Sequence, residues 1–329
     1  MSVTTDYDQV VEEIRGAEML LLTTHENPDG DALGSLLGFH ELMRLLGKDS
    51  VMFMSDDQFP LPQEFQDMPF ESVIGAPPED IDRRLVVFLD CGNIDRMPVD
   101  FLQRDGVRIL NIDHHHDNTR FGTVNYVVPT ASSTAEIVFG LAKDLGVELT
   151  PAVADALYVG LITDTGKFMY KNTTPAAHRM AAELIEAGVD VSGVYRRLYE
   201  NLPWGRLALL ARALGRVKRL DDGAITFTNL TKQDFSETGS VEGDSEGIVD
   251  HIRTVEGTAV AVLVREILSE DRTAKRKVSL RATDGDVDVS RIARELGGGG
   301  HRQAAGFSTE LTVPELLERL SDEVGQQLD

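Results

Sequence analysis

The chain reads as an α/β protein: a mostly parallel sheet flanked by helices, followed by a smaller α+β domain. Three observations carry that reading. Short apolar runs alternate with helix-length segments through the first half, which implies a parallel sheet covered on both faces. Beyond Asn201, strands follow one another with fewer, later helices. The length of 329 residues suits two domains of roughly 100–200 residues each. The expected division is a first domain over 1–190, a helical linker over 191–216 and a second domain over 217–329.

In chain order, Met19–Thr24 reads as a buried strand. Asp31–Leu46 reads as a helix, with Leu33, Leu36, Leu37, Met43 and Leu46 near helical spacing. Val51–Met54, Leu85–Leu89 and Val107–Ile112 read as further strands, and Ser132–Leu145 and Ala152–Ile162 as helices. Leu202–Leu220 reads as a helix running into a strand, with Arg206, Arg212, Arg216, Lys218 and Arg219 and no acid. Strands are expected at Ala224–Leu230, Thr258–Ile267 and Lys277–Ala282, and helices at Val289–Leu296 and near Val313–Leu328. Ser236–Ser245, rich in Gly, Ser and acids, reads as an exposed loop.

Composition removes several classes. The longest apolar runs, Ala259–Val264 and Leu85–Leu89, fall far short of the ~20 residues of a spanning helix. Met1–Gln9 lacks the basic and apolar regions of a signal peptide. The single cysteine, Cys91, excludes an intrachain disulfide framework. A soluble, cytoplasmic protein is expected. The net charge of −23 repels a polyanion and argues against a partner such as duplex DNA. It leaves open a small anionic substrate in a locally positive cleft.

In parallel sheets, ligands sit beyond the carboxyl ends of the strands, and acids and histidines collect there. After the first strand comes His25-Glu26-Asn27-Pro28-Asp29-Gly30-Asp31, in which Asp31 can also cap the next helix. After the strand at Leu85–Leu89 comes Asp90; after Val107–Ile112 come Asp113, His114, His115 and His116; after Ala152–Ile162 come Thr163, Asp164, Thr165 and Gly166. One cap does not need two carboxylates and an imidazole, and an isolated buried carboxylate is costly. Mixed carboxylate and imidazole donors suit Mn²⁺, and also Fe²⁺, Co²⁺ or Zn²⁺, better than Ca²⁺. The eight candidates His25, Asp29, Asp31, Asp90, Asp113, His114, His115 and Asp164 exceed the needs of one ion, so two ions are expected, as in phosphoryl displacement.

The second region holds Gly297–Phe307, four glycines followed by His301 and Arg302. It reads as a loop whose backbone can approach a ligand closely. Arg272–Arg302 carries eight Lys/Arg against four Asp/Glu, a focused anion site in an acidic chain. Ser279 and Arg281 alternate with Val278 and Leu280 and share one strand face.

These segments together resemble the DHH phosphoesterase family, and within it the two-domain nanoRNase/pAp-phosphatase branch. The matching runs are His25–Ala32, Leu89-Asp90-Cys91, Asp113-His114-His115 with Asn118, Thr163–Gly166, Ser279-Leu280-Arg281 and Gly297–Phe307. The resemblance implies a first, catalytic domain with two Mn²⁺ and a DHH-associated second domain that binds substrate, with the active site in the cleft between them. It puts His25, Asp29 and Asp90 on one ion, and Asp31, Asp90, His114 and Asp164 on the other. His115 would face the scissile phosphate, with Asp113 supporting the histidines. Ser279, Arg281, Gly299, Gly300, His301 and Arg302 would contact substrate. His116 has no assigned role.

The implied activity is hydrolysis of short single-stranded RNA or of 3′-phosphoadenosine 5′-phosphate to mononucleotides. The alternative is a phosphodiesterase for cyclic or linear dinucleotides. A RecJ-type single-strand exonuclease predicts an added nucleic-acid-binding domain, and an inorganic pyrophosphatase predicts a lysine-bearing second domain in place of the glycine loop. No membrane partner is expected, and family members are often homodimers.

Overall fold

The computed structural model describes residues 7–97, 99–102, 106–269, 274–283 and 286–328. The chain divides into two compact units, Met1–Asn201 and Leu202–Asp329. The division falls inside the 191–216 stretch, between two helices.

Unit 1 is built on five strands: β1 (Met19–Thr23), β2 (Asp49–Met52), β3 (Leu85–Leu89), β4 (Ile109–Asp113) and β5 (Val124–Val127). They pair in the order β2-β1-β3-β4-β5, every pair parallel. Every residue of β3 and β4 is buried, as expected of strands covered on both faces. Six helices accompany them: α1 (Tyr7–Gly16), α2 (Gly30–Leu45), α3 (Thr134–Asp144), α4 (Pro151–Asp164), α5 (Pro175–Glu186) and α6 (Val191–Tyr199). One core, on the side of α2 to α5, gathers Leu20, Leu22, Leu36, Phe39, Val87, Leu89, Leu157 and Leu161. A smaller one on the opposite face gathers Leu21, Phe53, Val86, Phe88 and Phe101.

The order 2-1-3-4-5 reverses direction between β1 and β3, so a crevice opens beyond their carboxyl ends. The β4–β5 crossover has no helix; residues 114–123 make it, starting with the three histidines. Helices α2 and α4 pack closely because Gly160 has no side chain. A Cβ there would stand 2.8 Å from an Asp31 carboxylate oxygen and 2.7 Å from the Ala135 Cβ. That contact brings the start of α2 to the end of α4.

Unit 2 begins with α7 (Trp204–Gly215) and carries six strands: β6 (Lys218–Leu220), β7 (Ile225–Leu230), β8 (Val260–Glu266), β9 (Arg276–Ala282), β10 (Gly299–His301) and β11 (Ala304–Thr309). Their order is β10-β11-β9-β8-β7-β6, with only β7 and β8 parallel. Helices α8 (Lys232–Thr238) and α9 (Ile248–Arg253) join α7 on one face, around Leu209, Phe235, Ile252 and Leu263. Helices α10 (Val289–Glu295) and α11 (Val313–Leu328) cover the other, around Val262, Leu280, Ile292, Leu316 and Leu320.

Two expectations are corrected here. Ser236–Ser245 is not an exposed loop: α8 runs to Thr238, a 3₁₀ turn spans Glu242–Ser245, and Ser240 and Ser245 are buried. Gly297–Phe307 is not a loop either. Its glycines enter the β10–β11 hairpin, whose register pairs Gly299 with Gly306 and Gly300 with Ala305. Gly300 has φ 135°, and a Cβ there would meet the Ala304 carbonyl at 2.5 Å; glycine is what lets two strands close this tightly. No described helix is long and apolar enough to cross a membrane.

Candidate active site

The adjacency of β1 and β3 makes neighbours of the residues just past their ends. His25 Nε2 lies 3.8 Å from Asp90 Oδ2, and both residues are buried. Asp90 takes φ 58°, a left-handed backbone uncommon outside glycine, which turns the chain sharply off the strand. Its amide still pairs with the Ile112 carbonyl, and Thr134 donates its hydroxyl to Oδ1 at 2.9 Å.

Asp29, not Asp31, caps α2: its Oδ1 accepts from the amides of Asp31 and Ala32 at 3.0 and 3.1 Å. Asp31 sits one step into the helix and serves a different one. Its carboxylate accepts from the amides of Thr134 at 2.6 Å and Ala135 at 3.0 Å, at the start of α3, where unpaired N–H groups favour an anion. Asp164 is the last residue of α4, and Asn172 donates to its Oδ2 at 3.0 Å.

His114 Nε2 lies 3.8 Å from Asp31 Oδ2, 3.6 Å from Asp90 Oδ1 and 3.7 Å from Asp164 Oδ2. These distances are too long for hydrogen bonds. They are the spread of donors that surround a common point. Three overlapping groups result, His25/Asp29/Asp90, Asp31/His114/Asp164 and Asp90/His114/His115, each with donor atoms within 4.8 Å of one another. Burial, then the neighbouring carboxylates, lifts Asp90 well above the usual carboxylate range. Burial also raises Asp31, with Asp29 adding to it, and Asp164 is pushed up to about 8 by burial and then by Asp31 and Asp29. Among the described residues no Lys or Arg pairs with Asp31, Asp90 or Asp164. Carboxylates buried this close are stable as anions only with cations among them. The oxygen and imidazole donors fit divalent transition metals.

A second network supports the histidines. His115 Nδ1 bonds Asp113 Oδ1 at 2.8 Å, and Asn118 donates to Asp113 Oδ2 at 2.5 Å and to Asn111 Oδ1 at 2.8 Å. The Asp113 bond, working against burial, raises the His115 pKa above the ordinary imidazole value. Burial works to raise Asp113, but the bonds from His115 and Asn118 outweigh it and hold the carboxyl low. His116 is exposed.

At His25, Nδ1 lies 2.7 Å from the Glu26 carbonyl and 3.0 Å from an Arg96 guanidinium nitrogen. One nitrogen cannot donate to the first and accept from the second. A carbonyl at 2.7 Å requires the proton on Nδ1. That tautomer leaves the Nε2 lone pair facing Asp90, where a metal ligand needs it. Burial holds the His25 pKa down, which favours the neutral ring.

In unit 2, the alternation along β9 puts Ser279 and Arg281 on one face. With Lys277, Arg265, Glu242 and Glu246 they line a cavity of about 570 Å³. Arg281 Nε donates to Asp250 at 3.2 Å. Gly299 and Gly300 lie in β10, which His301 ends; the His301 side chain is outside the described residues. Arg302 is 60% exposed, 3.9 Å from Asp288.

Sequence reasoning missed Thr134, Asn172 and Arg96. Thr134 and Asn172 reach the site across 44 and 8 residues of sequence respectively. No local pattern marks such a meeting. Arg96 carried a weak signal, as a lone arginine in the loop after a buried strand that ends in an acid.

Comparison with known proteins agrees with these features. The DHH family, N-terminal domain, matches residues 19–161, and the DHHA1 domain matches 231–329. The bifunctional oligoribonuclease and PAP phosphatase NrnA of Thermus thermophilus is 34% identical over 97% of this chain and 93% of its own. The NrnA of Bacillus subtilis is 26% identical, covering 91% and 92%. An exopolyphosphatase-related protein from Bacteroides fragilis superposes with a TM-score of 0.85 at 25% identity, over 99% of this chain and 98% of that one.

Proposed function

The chain belongs to the DHH family and is a hydrolase acting on phosphoester bonds; on that premise we propose that it degrades short oligoribonucleotides, and 3′-phosphoadenosine 5′-phosphate, to mononucleotides with two Mn²⁺. The observation that carries the reading is the set of three overlapping donor groups, two of which share Asp90 and two His114. In this proposal His25, Asp29 and Asp90 hold one ion, and Asp31, Asp90, His114 and Asp164 hold the other. Such ions, when bound, lower the pKa of a water and draw charge from phosphoryl oxygens.

The protein's own groups have separate tasks. Asn172 and the α3 amides keep the Asp164 and Asp31 carboxylates in place. His115, with its Nδ1 proton fixed by Asp113, turns Nε2 to the scissile phosphate. Its raised pKa suits it to deliver a proton to the departing ribose oxygen. Ser279, Arg281, Gly299, Gly300, His301 and Arg302 bind the rest of the nucleotide. The acidic chain disfavours long polymers.

A substrate panel tests the proposal. Diribonucleotides, five-residue RNA, 3′-phosphoadenosine 5′-phosphate, and linear and cyclic dinucleotide second messengers are ranked by kcat/KM with Mn²⁺. Short RNA and the bisphosphate at the top supports it. A cyclic dinucleotide at the top transfers the assignment to the alternative.

A further inference from the structure

Arg96 stands out once each charge near the site is paired. It closes the 3₁₀ turn Ile94–Arg96 after β3, and its backbone is pinned there: the Glu26 amide donates to the Arg96 carbonyl at 2.7 Å. That bond ties the turn to the loop carrying His25. The guanidinium is half-buried and its charge works to lower the pKa of His25, His115 and Cys91, adding to burial at His25 and opposing the net rise at the other two.

Asp29, Asp31, Asp90, Asp113 and Asp164 gather at the site, yet among the described residues Arg96 forms no ion pair with any of them. The polar atom its guanidinium reaches, His25 Nδ1 at 3.0 Å, already carries a proton for the Glu26 carbonyl and has no lone pair to offer. A guanidinium has five N–H donors in a planar fork suited to phosphate oxygens. Here it is held at His25 Nδ1, its charge is felt at His115, and among the described residues no carboxylate takes its donors. A structural arginine would pair with a carboxylate, as Arg84 does with Asp49 and Asp80.

We propose that Arg96 is a substrate-binding residue that grips non-bridging oxygens of the scissile phosphate alongside His115. The assignment rests on the phosphoesterase reading above and adds to it a cation that the first unit contributes to the substrate. A contact made by the scissile phosphate is shared by every substrate, in contrast to contacts with the remainder of the nucleotide. The rival is that Arg96 only orients His25.

The test uses full-length Arg96→Ala, Arg96→Gln and Arg96→Lys. Mn²⁺ affinity is measured by calorimetry, and binding of AMP by equilibrium titration at saturating Mn²⁺. Rates are followed on a diribonucleotide and on bis-p-nitrophenyl phosphate. Loss of one charge-assisted contact should weaken AMP binding in Ala and Gln roughly 10- to 200-fold. Mn²⁺ affinity should stay within about twofold, both substrates should lose kcat/KM, and Lys should recover part of the loss. Weakened Mn²⁺ binding with unchanged AMP affinity at saturating metal would overturn the proposal and leave Arg96 a positioning residue for His25. If the wild type cleaves no phosphoester, the functional reading fails, and AMP titration still decides for or against Arg96. Should Ala not fold, Gln and Lys carry the comparison.

Discussion

Asp90 belongs to two of the three donor groups, and burial with its neighbouring carboxylates makes its charge costly without a cation nearby. Asp90→Asn keeps the shape and removes the charge. Turnover should nearly vanish on every substrate and bound metal should fall; an Asn variant that keeps full metal and rate would remove Asp90 from the site. His115 is the opposite case. Its Nδ1 is committed to Asp113, so His115→Ala should keep its metal and lose kcat by about 10²–10⁴-fold, the range for a lost acid–base group. Loss of an ion instead would mean that His115 is a ligand. In metal-free protein, histidine resonances should show His115 titrating above the ordinary imidazole value. Removing the Asp113 charge as Asn should bring that titration down, because the hydrogen bond and the charge favour the protonated ring. No downward movement would detach Asp113 from His115.

Among the elements, α7 and α8 are tied by one buried carboxylate. Asp234 accepts from Arg216 at 2.5 and 2.7 Å and from Arg212 at 3.3 Å, and it completes the capping box of α8 with Thr231. Despite its burial, the arginines and Thr231 hold its pKa far below the usual value. The folded pKa is the lower one, so its stabilisation is complete above the unfolded pKa of about 4 and fades as pH falls below it. Asp234→Ala should cost roughly 1–3 kcal/mol at pH 7, towards the lower part because both arginines are partly exposed. In urea melts the gap to wild type should narrow near pH 3; a gap independent of pH would mean that packing, not charge, is lost.

The elements also show where sequence was a sufficient guide. Leu85–Leu89 could be delimited to the residue because a continuous apolar run stops abruptly, and the helix near Val313–Leu328 was legible from its amphipathic stripe. β5 was invisible: four residues at a sheet edge, mostly half-buried, with neither alternation nor a full apolar run. The β10–β11 hairpin was hidden by its glycines, which have low strand propensity and are chosen for close backbone packing. α8 did carry a signal, Thr231 with Asp234 three residues on, but the acidic, Gly- and Ser-rich run beginning at Ser236 obscured where it stopped. Acids and histidines at the ends of β1, β3 and β4 were legible because residue type and strand end coincide. Arg96, Thr134 and Asn172 were not, since their meaning lies in contacts made only after folding.

On the scale of the whole molecule, a chain of net charge −23 clusters buried acids in unit 1 and lines a cavity of unit 2 with Arg265, Lys277 and Arg281 beside Glu242 and Glu246. That division predicts separable losses. Arg302→Ala and Arg281→Ala should reduce kcat/KM on diribonucleotides roughly 10- to 200-fold, the worth of a charge-assisted contact. Both should largely spare bis-p-nitrophenyl phosphate, which lacks the remainder of the nucleotide. Equal losses on the two substrates would mean that unit 2 supports the chemistry instead of reading the substrate.

The central claim, that metal held by the carboxylates and imidazoles of unit 1 drives hydrolysis of short RNA, is tested most directly by titrating metal-free protein with Mn²⁺. Bound metal per chain is counted while mononucleotide release from a diribonucleotide is followed. Release should be absent without metal, rise to a plateau as the second equivalent binds, and disappear again with a chelator. Release that proceeds at full rate in the chelator, or a plateau with no metal bound, would contradict the account.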